Sequence, residues 1–92
     1  MIEHADEASQ LMRALANPNR LMILCILSKG EMTVSELTSA VGLSQSALSQ
    51  HLSVLRHDEL VDTRRERQSI HYRLADGPAV QIINTLHDLY CG

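Results

Sequence analysis

The chain has two thiols: Cys25, at the centre of the apolar run "RLMILCILSKG" (Arg20 to Gly30), and Cys91, the penultimate residue. A thiol can ligate a soft metal, act as a nucleophile or close a bridge, and its setting decides among these. A single cysteine in an apolar helix is first of all a small, inert hydrophobe. Apolar surroundings also push such a thiol up, away from the reactive thiolate. There is no Cys-x-x-Cys, and no acid–base constellation that would sustain turnover, so an enzyme is not expected. Taken alone, the residues leave open whether the two thiols are filler or a working pair.

A second group of side chains suits a different chemistry. Gln45, Ser46, Ser49, Gln50 and Ser53 recur on one face of a helical stretch, opposite Leu48, Leu52 and Leu55. Short hydroxyls and amides can approach base edges and phosphates, and a glutamine can grip adenine through two hydrogen bonds. An ordinary solvated face favours Glu and Lys, and this one has neither. Beyond Arg56, the residues Arg64, Arg65, Arg67 and Arg73 crowd into one short segment that would reach phosphate or a minor groove. His51 and His71 sit among these groups, open to contact or to plain exposure, whereas His4 and His57 have no partner that sequence can name.

The elements that must position these groups are legible from periodicity and punctuation. Ala8, Leu11, Met12 and Leu15 mark an amphipathic helix from Asp6 to Ala16. Asn17 is placed to cap a second helix from Pro18 to Ser28 or Lys29, apolar on nearly every side and therefore central to the core. Thr33 and Glu36 fit a capping box for a short helix that Gly42 closes. Ser44 caps the longer helix that follows, "SQSALSQHLSVLRHDE". From Leu60 the period changes to two, predicting a β-hairpin whose tip lies near Arg65 to Gln68. A last helix carries Val80, Ile83, Leu86 and Tyr90 at helical spacing.

Length and composition bound the rest. Ninety-two residues make one domain (1–92) with a small, aliphatic core containing no Trp or Phe. Such a chain often completes its core with a second copy. The net charge of −3 is partly carried by Glu3, Asp6 and Glu7, away from the arginine cluster. No apolar run approaches the ~20 residues of a membrane span. The first residues show no basic and then apolar signal, so a cytoplasmic protein without membrane association is expected.

The stretches "ALANPNRLMILCIL", "LSQSALSQHLSVLRHDELVDTRRERQSIHYRL" and "LHDLYC" together resemble the ArsR/SmtB-type winged-helix repressor family over nearly the whole chain. The resemblance implies a homodimer joined by its first and last helices, with Leu11, Leu15, Ile83, Leu86 and Tyr90 at the interface. It implies binding to two-fold symmetric double-stranded operator DNA. The contacts would come from Ser44, Gln45, Ser46, Ser49, Gln50, His51 and Ser53, with Arg56 and the wing arginines Arg64, Arg65 and Arg67. Where arsenic- and cadmium-type members place a Cys-x-Cys pair, this chain has Thr33 and Ser35. Where zinc-type members place ligands on the last helix, it has Asp76, Pro78, His87 and Tyr90. Half of the latter set is missing, so neither metal site is expected to work.

The two cysteines match one branch in particular, the sulfide- and persulfide-responsive repressors of the SqrR/BigR/HlyU kind. In that branch reactive sulfur species link the two thiols through a disulfide or polysulfide. By resemblance, Cys25 and Cys91 are the sensing residues, and persulfides or polysulfides the inducer. The fold expected is α+β, mostly α: a winged helix-turn-helix of five helices with a two-stranded wing, paired as a homodimer. No cofactor is expected. The rival readings are a metal- or haem-responsive repressor of the same type and a non-switching DNA-binding anti-silencer.

Overall fold

The computed structural model describes residues 2–91. A single 3-10 turn (Ile2–His4) leads into α1 (Ala5–Leu15), followed by α2 (Pro18–Leu27), β1 (Met32–Thr33) and α3 (Val34–Val41). Then come α4 (Gln45–His57), β2 (Val61–Glu66), β3 (Ser69–Leu74) and α5 (Pro78–Tyr90). The five helices and the hairpin fall where periodicity placed them, with α2 ending at Leu27 rather than at Ser28 or Lys29.

The helix starts are set by local hydrogen bonds. The Asn17 side chain accepts from the backbone N–H groups of Asn19 (3.0 Å) and Arg20 (3.1 Å), and Pro18 fills the first turn, where no donor is needed. Thr33 accepts from Glu36 N–H at 3.2 Å, while Glu36 accepts from Thr33 N–H at 2.9 Å, so the capping box is complete. The bond from the Thr33 backbone, and after it the Thr33 hydroxyl beside the carboxyl, hold the Glu36 carboxyl below its usual range. Gly42 closes α3 at φ 73, a left-handed conformation that a Cβ would strain.

The core forms around α2, which touches α1, α3, α4, β3 and α5. Its Ile23, Leu24 and Leu27 meet Leu37 of α3 and the α4 stripe of Leu48, Leu52 and Leu55, all buried. Each such side chain contributes roughly 1.5–3 kcal/mol through removal from water. Leu60, Val61 and Tyr72 seal the sheet side, and Ala79 and Ile83 of α5 close the bottom.

Three features depart from expectation. The wing hairpin belongs to a three-stranded antiparallel sheet of order β1-β3-β2, because Met32 and Thr33 pair with Tyr72 and His71. Leu15 (7% exposed) and Ile83 (0%), expected at a dimer interface, pack into the core of this chain itself. Cys25, on a helix expected to be central to the core, is only half-buried against it.

Candidate nucleic-acid interface and thiol pair

In α4 the leucine stripe faces the core and everything opposite it faces water. Gln45, Ser46, Ser49, Gln50 and Ser53 are exposed, as is Arg56 in the last turn, and His51 is half-buried. Leu48, Leu52 and Leu55 pin this helix at three successive levels, so its polar face is presented as a rigid array. Ser44 is exposed too, and its hydroxyl oxygen accepts from Ala47 N–H at 3.1 Å, capping the helix. A hydroxyl that accepts in this way still has its own proton to donate, for instance to a phosphate.

The wing is built from the register of β2 on β3. Val61, Thr63 and Arg65 share one face with Leu74, Tyr72 and Ile70, while Asp62, Arg64 and Glu66 share the other with Arg73, His71 and Ser69. At the tip, Arg67 takes φ 59 in the two-residue loop between the Glu66↔Ser69 pair. That left-handed first position is what a tight hairpin turn demands, and glycine would ordinarily supply it. The turn thus carries an arginine where a glycine would be less strained.

The arginines are not equivalent. Arg64 donates from Nε to Glu31 at 2.7 Å and from Nη1 to Glu66 at 2.8 Å. These bonds, Glu66 first, raise the Arg64 pKa further, and Arg64 in turn holds the Glu66 carboxyl below its usual range. Arg73 donates to Asp62, directly opposite, at 3.1 Å. Among the described residues Arg56, Arg65 and Arg67 have no carboxylate within ion-pair distance. Sequence reasoning treated the cluster as one phosphate-seeking group. It missed that two of its members are already neutralised, although Arg64 and Glu66 two apart on a strand, and so on one face, carried the signal.

The thiols sit on α2 and just beyond α5, two helices that touch. Both are unbridged. Cys91 is exposed, its backbone N–H donating to the carbonyl of His87 at 2.7 Å. Burial pushes the Cys25 thiol up from its ordinary value; the charge of Cys91 adds to the effect, and Lys29, just beyond the end of α2, opposes it. Of the positions where metal-binding relatives carry ligands, Thr33 spends its hydroxyl on the capping box, and Ser35, Asp76, Pro78, His87 and Tyr90 are exposed. Among the described residues no three His, Cys, Asp or Glu side chains converge as a metal site would require, and no helix is long and apolar enough to cross a membrane.

Residues 17–63, from the α2 cap into β2, match the profile of the bacterial regulatory proteins of the arsR family. The chain is 48% identical to the transcriptional activator HlyU of Vibrio cholerae over 91 residues, which is 99% of this chain and 84% of that protein. Reduced HlyU from Vibrio cholerae N16961 superimposes with a TM-score of 0.95, covering 100% of this chain and 97% of the other. The biofilm growth-associated repressor of Xylella fastidiosa is 42% identical, over 99% of this chain and 80% of its own length. A homodimeric winged helix-turn-helix DNA-binding domain from Mycobacterium bovis, a possible ArsR-family regulator, is 31% identical with a TM-score of 0.82, over 91% of this chain and 78% of that one. With α3 and α4 as its helix pair and the β2–β3 hairpin as its wing, the chain belongs to the arsR family and is a DNA-binding transcriptional regulator.

Proposed function

We propose that the chain acts as a homodimeric repressor that loses operator affinity when reactive sulfur species bridge Cys25 to Cys91. Each α4 enters a major groove, with half-sites about 34–36 Å apart. Gln45, Ser46, Ser49, Gln50 and Ser53 face the bases, Ser44 and Arg56 the phosphates, and Arg65 and Arg67 reach the backbone from the wing. The observation that carries the sulfur reading is an exposed thiol just beyond α5 and a half-buried one on α2, two helices that touch.

The exposed Cys91 thiolate attacks the outer sulfur of a persulfide R–S–SH, releasing the thiol R–SH and leaving Cys91–S–SH. The Cys25 thiolate then attacks the Cys91 sulfur and expels HS⁻. The sum is two protein thiols and one persulfide giving one disulfide, one R–SH and one H₂S, with the thiols oxidised and the sulfane sulfur reduced. A longer bridge retains sulfane sulfur from further persulfides, each leaving as its thiol. The bridge ties α2 to α5, and the tied dimer disfavours the spacing of α4 helices that fits the operator. That a relative is known in a designated reduced form agrees with this reading. Relatives named as an activator and as a repressor both fit one DNA-binding event, whose regulatory sign follows from where the operator lies.

Mass spectrometry of the whole protein after persulfide, peroxide and low-molecular-weight disulfide treatment tests this. The expected result is a Cys25–Cys91 bridge with added sulfur after persulfide, and operator release that Cys25→Ser and Cys91→Ser both abolish. A Cys25 that stays unmodified under every treatment would sink the mechanism.

A further inference from the structure

We infer that Arg64 is a positioning residue, a strut laid across the sheet that ties the wing to the turn ahead of the helix pair, and not a ligand for DNA phosphate. The inference rests on the DNA-binding role of the wing and assigns one of its arginines a different task.

The geometry comes from the strand order. β3 lies between β1 and β2, with His71 paired to Arg64 on one side and to Thr33 on the other. To reach Glu31, just before β1, the Arg64 side chain must therefore cross the central strand over His71, which is 22% exposed. It arrives with Nε 2.7 Å from Glu31 Oε1 while Nη1 lies 2.8 Å from Glu66 Oε2. Two carboxylates thus fix two different donors of one planar group, which sets its orientation as a single contact would not.

Both ends of the strut are placed where they matter. Glu31 is followed at once by β1 and by Thr33, whose capping box starts α3. Arg64 stands at the root of the free hairpin: β1 supports β3 only at Tyr72 and His71, so the Arg65↔Ile70 and Glu66↔Ser69 pairs project beyond the three-stranded part. Holding Arg64 to Glu31 therefore fixes the angle at which the Arg65 to Ile70 finger leaves the helix pair. The charge balance agrees. Arg64 with two carboxylates is a net negative group, and a phosphate that took the guanidinium would face Glu31 and Glu66 unpaired. Arg65 and Arg67 carry no such partners among the described residues.

Lysine separates the two roles. It keeps the charge that a phosphate contact needs but, as a point charge, cannot bridge two carboxylates with fixed donors. The first measurement is amide hydrogen exchange of the protein without DNA, for Arg64→Lys, Glu31→Ala and the double variant. Each single change should speed exchange across Arg65 to Ile70 by about 2–5-fold, and the double should add nothing further. The second uses a duplex selected by the parent protein from a random-sequence pool. There Arg64→Lys should lower the ratio of specific to non-specific affinity about threefold while keeping the parent's salt slope, whereas Arg65→Gln and Arg67→Gln each reduce that slope by about 1. Unchanged exchange in Arg64→Lys, additive effects of the two singles, or a slope reduced by about 1 in Arg64→Gln would each overturn the strut. A parent protein that selects no sequence would defeat the operator reading instead, and the exchange measurement would still decide the strut.

Discussion

The Cys25 thiol is kept protonated by two causes that differ in kind, partial burial and, after it, the charge of Cys91, with Lys29 pulling the other way. Reactivity should follow that balance. Alkylation of Cys25, read by mass spectrometry against pH, should reach half its limiting rate above the ordinary thiol range. Cys91→Ser should move that midpoint down by removing one raising cause, and Lys29→Met should move it up. A midpoint that ignores both substitutions would show the two thiols to be independent. At this scale the reading from sequence was uneven, for a physical reason. The Ser and Gln face of α4 was legible because a helix repeats and its leucines say which side is covered. The Arg64–Glu31 ion pair was not legible, because Glu31 is a distant residue brought near only by strand order.

The end of α4 shows what one element can conceal. Leu60 N–H donates to the Leu55 carbonyl at 2.8 Å and Glu59 N–H to that of Arg56 at 3.0 Å, with Leu55 and Leu60 both buried. This is a Schellman closure, and its left-handed position, at φ 61, is Glu59. Glu59→Gly should therefore stabilise the fold by about 0.5–1 kcal/mol, seen as a higher midpoint in thermal unfolding, with operator affinity unchanged. A loss of stability would mean that the Glu59 side chain outweighs its backbone strain. The caps at Asn17, Thr33 and Gly42 were readable because each uses residues three or four apart and a side chain suited to the task. The Glu59 closure was not, since glutamate carries no mark of a left-handed turn. Nor was β1, two residues long and defined only by its pairing with Tyr72 and His71.

For the molecule as a whole, the telling surface is the one its own core leaves uncovered. Leu89 (70% exposed) and Tyr90 (83%) stand out from the end of α5, with Ile2 and Met12 also exposed on the N-terminal elements. Sequence periodicity identified the apolar stripes of the first and last helices but not their partners: Leu15 and Ile83 went to this chain's core, and Leu11 and Leu86 are half-buried. If these helices join two copies, a Leu89→Glu, Tyr90→Glu variant should sediment as a monomer with its helical spectrum intact, while the parent sediments as a dimer. A parent of 10.3 kDa in solution would refute the pairing. The place of α2 carries a further consequence. The helix that bears Cys25 also packs directly on α3 and α4, so no relay separates the thiol from the reading head. Coupling of that kind runs equally in both directions. Under the proposed mechanism, whatever factor a sulfur bridge takes from DNA affinity, the operator takes from the equilibrium constant for forming the bridge. On the proposed sulfur mechanism, molecules resting on the promoter are then the hardest to bridge at equilibrium and the unbound pool acts as the sentinel, so the dose needed for induction would rise with the number of occupied operators.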